Sequence, residues 1–486
     1  MSSIDLIITF DTEDTYTPAE AGMDDVPKAL AEILSEEGVP GHFIVIGDRA
    51  RLLRDRGRDD VNAALKQHCI GVHTLHEAQP YEASLAADLD WAGGLDVVRR
   101  MEREAYRLVA EGFDCEPVCL SGHACNVAPQ QAVVAREMGL PYLYSNAGVP
   151  PLNGLSRYCG TLNLPCFEPE AGQHIPYFDY FDDHLSDEPG FEQHLERFAR
   201  FIDDCIAQGQ PALLLHPCHP FKVYSLDWVD FYLSPNGQSI PSKEWPVRRR
   251  PGLRTKAQVE LALRNFRRLA QFIAAHPRLN VVTIPQVVAS YGRVPEAIGR
   301  LDLMAAAQRV CAAGEVAVGD PFTPAELALG FAAALLAYAQ HGSLPESVAR
   351  ESDVLGPTED PLVTPEEPGA VGWPALLQVA SDLTACAAVT GHLPANLTVR
   401  GGRAGLGSIY HLLARAYLAL CLDGREPEGL DLWRFPRQPQ VGVAIGLRYT
   451  SLAESLLAAP NLEISNLYRH GKLQSWTLAP AAKAES

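Results

Sequence analysis

Several features are missing from this sequence of 486 residues, and each absence excludes a class of protein. Its 40 basic side chains are outnumbered by 60 acidic ones, and the formal net charge of -20 excludes nucleic acid and an anionic membrane surface as main partners. No apolar run reaches the roughly eighteen residues of a membrane span. No basic segment, apolar stretch and cleavage site precede the first predicted strand. We therefore expect a cytoplasmic protein that does not cross a membrane.

Paired cysteines are also missing. The 11 cysteines are scattered singly, without the CxxC pairs of a zinc ribbon, so we expect reduced and mostly buried thiols. Hydrophobic residues make up 47% of the chain and its mean hydropathy is -0.05, which is typical of soluble globular proteins. A chain of this length exceeds one compact core, so two domains are expected.

The order of strand-like and helix-like segments divides the chain. They alternate as far as about residue 292, ending in a predicted strand at 280–284, and this alternation is typical of βαβ units around a parallel sheet. Beyond a Gly- and Pro-containing boundary, the pattern changes to helices separated by Pro-rich turns. We predict an α/β domain over residues 1–292 and a separate, mainly α-helical domain over residues 300–486.

The second region contains a repeat. A helix beginning at Phe322-Thr323-Pro324 and ending before Gly342-Ser343-Leu344-Pro345 is echoed by one between Trp373-Pro374 and Gly391-His392-Leu393-Pro394. A possible third copy is Gly471-Lys472-Leu473-Gln474. The repeats resemble the pseudomurein-binding type found in some cell-envelope proteins. A dimerisation module, giving a homo-oligomer, and a lid over the barrel are the other roles expected for this region.

Acidic side chains follow the first predicted strand directly. The apolar run Ile4–Phe10 leads into Asp11, Glu13 and Asp14. In open and barrel-like α/β folds, functional sites are built at the carboxyl ends of the strands. We therefore expect these carboxylates to belong to a site, although an acidic, helix-capping turn is the structural alternative.

Histidines stand at two further predicted strand ends. His73 and His76 follow one short strand and are joined by Glu77, whereas His216 and His219 follow the apolar run Pro211–Leu215. Imidazoles with an acid are the ligands that zinc prefers, and three such ligands leave a coordination position open for water. Histidines of a solvated loop, or histidines packed beside prolines, are the structural alternatives.

These segments, in order, resemble the polysaccharide deacetylase family of NodB-type amidohydrolases over about residues 4–290. Thr9-Phe10-Asp11 is similar to its first motif, His73-Thr74 to the start of its metal-binding motif, and Leu214-Leu215-His216 to the strand that carries its general acid. The resemblance implies a distorted (β/α) barrel with a divalent metal at the carboxyl ends of its strands. Zinc is the metal expected, with cobalt, manganese and nickel as alternatives.

The resemblance also assigns roles. Asp11 would be the catalytic base and His216 the general acid, while Glu13, His73 and His76 would bind the metal. Some branches of the family place the metal-binding acid two positions after the base, which favours Glu13; Asp14 is its alternative.

Two motifs depart from the family pattern. The second histidine usually stands four residues after the first, but here His76 is three after it and Glu77 occupies the fourth position, so either could bind metal. The third motif, Arg-Pro-Pro-x-Gly, is replaced by a segment that runs from Cys119 to Asn126 and includes His123. His123 is accordingly an alternative site residue, as is His219.

Three functions compete at this stage. The first is a metal-dependent hydrolase that cleaves the C–N bond of an amide, removing the acetyl group of an N-acylated sugar or small amine. The second is a ring-opening amidohydrolase of the allantoinase or cyclic-imidase kind, and the third a non-catalytic carbohydrate-binding or scaffold protein on a degenerate barrel. We expect a small-molecule or glycan substrate for an enzyme.

Overall fold

The computed structural model describes most of the chain. The described residues are 3–15, 17, 19, 22–76, 82–122, 128–143, 155–164, 166–167, 175–178, 180–226, 252–316, 318, 321–439, 465–481 and 483. Glu77 and His123, which the sequence offered as alternative site residues, lie outside them.

Strands and helices alternate through the N-terminal part of the chain. Its strands are β1 Ile4–Thr12, β2 His42–Val45, β3 Cys69–Val72, β4 Leu120–Ser121, β5 Tyr142–Leu143, β6 Ser156–Tyr158, β7 Thr161–Leu164, β8 Cys166–Phe167, β9 Ile175–Phe178, β10 Ala212–Leu215 and β11 Leu279–Val281. Its helices are α1 Asp25–Glu36, α2 Gly47–Asp55, α3 Asp59–Leu65, α4 Glu82–Ala86, α5 Trp91–Phe113, α6 Pro129–Glu137, α7 Glu188–Ala207, α8 Lys256–Ala275 and α9 Ile284–Tyr291.

The strands form one curled sheet that is mainly parallel. Its order is β8-β9-β10-β1-β2-β3-β4-β5-β7-β6, and β11 also pairs with β1. Along β1, Leu6, Ile8 and Phe10 pack against the surrounding helices, whereas Ile7 belongs to an inner cluster. That cluster also contains Leu214 of β10 and side chains of β2, β5 and β7, and strands so far apart in the order can meet only if the sheet curls. The predicted distorted (β/α) barrel with a mainly helical C-terminal part is confirmed.

The last strand is shorter than the sequence predicted. β11 ends at Val281, and Ile284, predicted as a strand residue, begins helix α9 instead. The cause is local, because the Thr283 side chain accepts a hydrogen bond from the Gln286 backbone N–H and the Gln286 side chain bonds back to Thr283. This capping box, with a proline in the first turn, starts the helix.

The C-terminal part consists mainly of helices joined by short strands. Its elements are β12 Ala297–Gly299, α10 Arg300–Ala313, α11 Pro324–His341, β13 Ser347–Ala349, β14 Gly369–Val371, α12 Trp373–Thr390, β15 Asn396–Val399, β16 Gly402–Gly405, α13 Leu406–Asp423, β17 Leu430–Leu432, α14 Ser465–Leu473 and β18 Ala479–Pro480. No helix within the described ranges combines the length and hydropathy needed to cross a bilayer.

The repeat predicted from the sequence is visible as a helix, a glycine and a strand. Gly342 and Gly391 follow α11 and α12 with φ of 70° and 71°, a left-handed conformation that glycine adopts without strain. Gly314 and Gly424 end α10 and α13 in the same way, at φ of 66° and 64°. Gly471 differs, since it lies inside α14 rather than after its end, so the possible third copy is not equivalent to the other two.

The end of the chain returns to the barrel. β18 pairs antiparallel with β6, and Leu467 and Leu478 pack into the barrel core. Trp476, between these two leucines, is buried in the core of the C-terminal helices. This terminal segment therefore contacts both the barrel core and the core of the C-terminal helices. The predicted domain boundary between residues 292 and 300 remains a prediction.

His42 couples the stability of the barrel to pH. Its Nδ1–H donates to the Ile8 carbonyl oxygen at 2.7 Å, and its Nε2 accepts from the Ile284 N–H at 2.9 Å, so the buried ring is neutral. Burial lowers the pKa of His42 to about 4. Because the unfolded chain binds a proton near pH 6.5 and the folded one does not, this residue should remove about 2 kcal/mol of unfolding free energy between pH 7 and pH 5.

Urea unfolding at the two pH values, compared for the wild type and His42→Gln, measures this loss. The variant should be less stable at pH 7 and lose less stability on acidification than the wild type does. His341→Gln, at an exposed helix end, is the control that should keep the wild-type slope. Equal acid-induced losses in the wild type and His42→Gln would contradict the prediction.

Candidate metal centre

Three parallel strands deliver polar side chains to one end of the barrel. Asp11 lies near the end of β1, an even number of positions after Ile7, so the two side chains share the inner face of the sheet. His73 follows β3, where its N–H donates to the Val45 carbonyl oxygen at 2.9 Å. His216 follows β10 in the same way. The carboxyl ends of these strands meet, as the sequence predicted for a barrel of this kind.

The first group of ligand atoms consists of Asp11, Glu13 and His73. His73 Nε2 lies 3.0 Å from Glu13 Oε1 and 3.5 Å from Asp11 Oδ2. The three side chains are nearly buried: the exposed fraction is 11% for Asp11, 11% for Glu13 and 1% for His73. Their ligand atoms all lie within 4.8 Å of one another. Two carboxylates and an imidazole at these distances match the donors of a divalent metal site.

The second group shares Asp11 with the first. His216 Nδ1 lies 3.8 Å from Asp11 Oδ1, and His219 Nε2 lies 3.9 Å from Asp11 Oδ2. The two imidazole centroids are 4.7 Å apart. The ring of Tyr180 packs against both, at 4.8 Å from His216 and 4.5 Å from His219. Asp11 is therefore common to both groups: its Oδ2 lies near His73 and His219, and its Oδ1 lies near His216.

Asp182 holds His219 in place. Its Oδ2 lies 3.1 Å from His219 Nδ1, and its Oδ1 accepts the His219 backbone N–H at 2.8 Å. Burial alone would lower the pKa of His219, but the charge and hydrogen bond of Asp182 outweigh it and raise the pKa to about 9. Burial and the neighbouring His219 hold the pKa of His216 well below its usual value. Of the two imidazoles, His219 is therefore the one whose surroundings favour the protonated form.

His76 lies elsewhere than the sequence predicted. Its Nδ1 is 2.8 Å from Asp48 Oδ2, near the start of α2, and neither ligand group among the described residues includes it. The backbone explains this position, because Thr74 has φ of 60° and its carbonyl oxygen accepts from the Gly47 N–H. The turn after β3 is therefore attached to α2, and His76 lies beside Asp48 rather than beside Glu13 and His73. Its role as a metal ligand stays a prediction.

Asp14 also turns away from the centre. Its Oδ1 accepts hydrogen bonds from the Thr17 hydroxyl and backbone N–H, and Arg49 Nη1 donates to its carbonyl oxygen at 2.8 Å. The same guanidinium pairs with buried Asp24 at 2.7 Å. Of the two acids that the sequence offered after Asp11, the structure brings Glu13 to His73 and places Asp14 in a structural network.

The altered third motif contributes a buried thiol. Cys119 is fully buried in the inner cluster of the barrel, and burial raises the pKa of its thiol far above the usual value. A thiol in that state is neither a ready nucleophile nor a ready metal ligand. Cys119 is therefore a packing residue at the position where the family's motif begins.

Asp182 is the site residue that the sequence analysis missed. It stands 37 positions before its partner His219, directly after an aromatic stretch that includes Tyr180. A run of acids directly after that stretch was the available signal, but similar runs are common on protein surfaces.

The donors of the first group fit a divalent cation. Carboxylate oxygens and an imidazole nitrogen suit zinc and its first-row neighbours. With Asp182 they place three carboxylates in a nearly buried space, where a cation would offset their mutual repulsion.

Solved structures of carbohydrate-modifying proteins are similar to part of this chain. A family 4 carbohydrate esterase from Streptomyces lividans is 12% identical over 58% of this chain and 94% of its own, with a TM-score of 0.30. A probable polysaccharide deacetylase from Pseudomonas aeruginosa is 15% identical over 59% and 90%, with a TM-score of 0.35. A CE4 family pseudoenzyme from Bacillus anthracis is 12% identical, with a TM-score of 0.26, and the matched region covers 45% of this chain and 55% of that protein.

No protein-family model and no curated protein matches the chain. The solved structures are of the kind that residues 4–290 resemble in their motifs. At identities of 12% to 15%, these structures assign no role to a single residue of this chain.

Proposed function

We propose that this chain is a metal-dependent hydrolase that cleaves a C–N bond of an amide. The observation that carries the proposal is that Asp11 belongs both to the group with Glu13 and His73 and to the group with His216 and His219. Hydrolysis of an amide needs water activated on one side of the carbonyl group and a proton supplied to the amine that leaves. The two groups that share Asp11 provide the residue types for these two tasks.

Asp11, Glu13 and His73 would hold the cation. A bound divalent ion supplies Lewis acidity and lowers the pKa of a coordinated water toward about 7. The buried surroundings of these residues limit the access of other water, which strengthens the electrostatic interactions within the site. Asp11, whose carboxylate belongs to both groups, is the residue that we expect to take the proton of the attacking water.

His219 is the residue that we assign to return a proton to the leaving amine. The sequence resemblance implied His216 for this role, but the carboxylate of Asp182 fixes His219 Nδ1 and leaves Nε2 on the side of Asp11. A cation in the first group would lower the pKa of His219 from about 9 toward the neutral range in which a general acid works best.

The substrate that we propose is an N-acetylated sugar or another small N-acyl amine. The motif resemblance over residues 4–290 supports this class, and the net charge of -20 opposes a nucleic acid. A non-catalytic scaffold would have no need of nearly buried carboxylates beside His73, because such a cluster costs stability unless it binds something.

Elemental analysis of identically purified proteins tests the proposal. We expect about one divalent ion per chain in the wild type and a large loss in Glu13→Ala and His73→Ala. His76→Ala is the matched control. Because His76 is hydrogen bonded to Asp48, this substitution should leave the metal content unchanged. Acetate release from N-acetyl amino sugars and small N-acetyl amines, with zinc, cobalt, manganese or nickel added, should follow the metal content. A wild type that neither retains nor takes up any of these ions would overturn the proposal.

A further inference from the structure

We propose that His216 is a positioning residue that holds the end of strand β1, and with it Asp11, rather than the proton donor implied by its motif. This inference rests on the proposed function, because it concerns how the same site keeps its shared carboxylate in place. It is carried by the strand register and by the hydrogen bonds of the His216 ring.

Strand β1 lies between β10 and β2, and its pairing with β10 ends three residues before Asp11. From Asp5 to Ile8 it pairs with β10, and from Thr9 to Thr12 it pairs with β2. Beyond Ile8, the backbone groups of β1 that face β10 have run past the paired part of that strand. A buried backbone N–H in this position needs another acceptor. The Asp11 N–H is directed at His216 Nε2, at a distance of 3.5 Å.

The imidazole of His216 is itself held by the protein. It is fully buried, hydrogen bonds to the backbone of Cys218 and packs edge-on against Tyr180, with ring planes at 84°. The ring also accepts the Asp11 N–H, so it connects the end of β1 to the turn after β10. His219, by contrast, is fixed through one nitrogen by Asp182 and directs the other toward the Asp11 carboxylate.

The consequence concerns the Asp11 carboxylate. Its Oδ2 lies 3.5 Å from His73 and 3.9 Å from His219, so it contacts both groups only while the end of β1 is held in this position. A displacement of about 1 Å at a reacting group can cost on the order of 10²-fold in rate. His216 would thus act on the reaction through Asp11 and would contact no substrate.

Leaving-group dependence separates positioning from proton donation. The enzyme with its metal is assayed on ring-substituted N-acetyl anilines, whose leaving amines differ in basicity. His216→Leu cannot accept the Asp11 N–H and should lose about 10²-fold for every member of the series, whereas His216→Gln, with an oxygen acceptor, should lose less than about 10-fold. His219→Gln should lose about 10² to 10⁴-fold for the most basic amine and much less for the least basic one.

A second readout needs neither activity nor metal. Hydrogen exchange at the Asp11 amide should be protected in the wild type and in His216→Gln, and faster in His216→Leu, while exchange elsewhere in the barrel core shows that all three are folded. Equal exchange in the two variants, or losses in both that grow with the basicity of the amine, would overturn the inference. If the wild type hydrolyses no member of the series, the proposed function fails and the exchange experiment still decides the role of His216.

Discussion

Replacing Asp11 by asparagine should lower amide hydrolysis by about 10³-fold or more and remove most of the bound metal. Asp11 is common to both groups of ligand atoms, and its carboxylate lies 3.5 Å from His73 Nε2 and 3.9 Å from His219 Nε2. The amide of asparagine keeps the shape but can neither accept the water proton nor offer an anionic oxygen to a cation. Steady-state rates and elemental analysis of the variant measure the two losses.

The fold should survive this substitution. Removing the charge of Asp11 relieves its repulsion of Glu13 but also loses its attraction to the protonated form of His219, so the stability of the metal-free protein should change little. Asp5→Asn is the matched control, because Asp5 lies at the other end of β1, where it accepts from Asn280 and pairs with Lys483. Full activity in Asp11→Asn, or an equal loss in Asp5→Asn, would contradict the assignment of the centre.

Replacing Asp182 by asparagine should lower kcat by about 10² to 10⁴-fold and leave the metal content unchanged. Asp182 orients His219 through two hydrogen bonds, and an amide at that position can stabilise the wrong tautomer of the imidazole. Asp182 belongs to neither ligand group among the described residues, so a loss of activity with metal retained points to proton transfer. Asp183→Asn is the control, since its exposed carboxylate pairs with Lys222 and Arg254 instead.

The same variant should change the pH dependence of the metal-free protein. Burial lowers the pKa of His219, but Asp182, with smaller effects of Glu13 and Asp11, raises it to about 9, above its value of about 6.5 in the unfolded chain. A group whose pKa rises on folding contributes stability that is complete below pH 6.5 and is lost as the pH increases through about 9. Asp182→Asn should lower the pKa of His219, measured by NMR titration, and remove this part of the stability profile. An unchanged titration would show that Asp182 does not control the charge of His219.

Local patterns predicted the barrel and the strand ends at which the candidate site residues stand. The apolar run before Asp11 indicated a buried strand with a carboxylate at its end, and the run before His216 did the same for β10. These predictions needed only the burial of consecutive apolar residues and the rule that sites lie at the carboxyl ends of parallel strands. The strand predicted to end at Ile284 was too long because side-chain capping by Thr283, rather than apolar content, fixed the start of α9.

Spacing alone did not identify the partners of the histidines. His76 stands three residues after His73 and so suggested a second metal ligand, but the turn at Thr74 is hydrogen bonded to α2 and directs His76 to Asp48. Asp182 could not be assigned to His219 across 37 residues, because many conformations of the intervening chain fit the same sequence pattern.

The sequence by itself determined the kind of fold and the strand ends that carry Asp11, Glu13, His73 and the two later histidines. Burial and strand alternation are properties of neighbouring residues, so they can be predicted from a short window. The tertiary structure decided which of these side chains meet. Glu13 rather than Asp14 lies beside His73, His76 lies beside Asp48, and Asp182 lies beside His219. Such pairings depend on the curl of the whole sheet and on the loops that join its strands, and no local pattern contains that information.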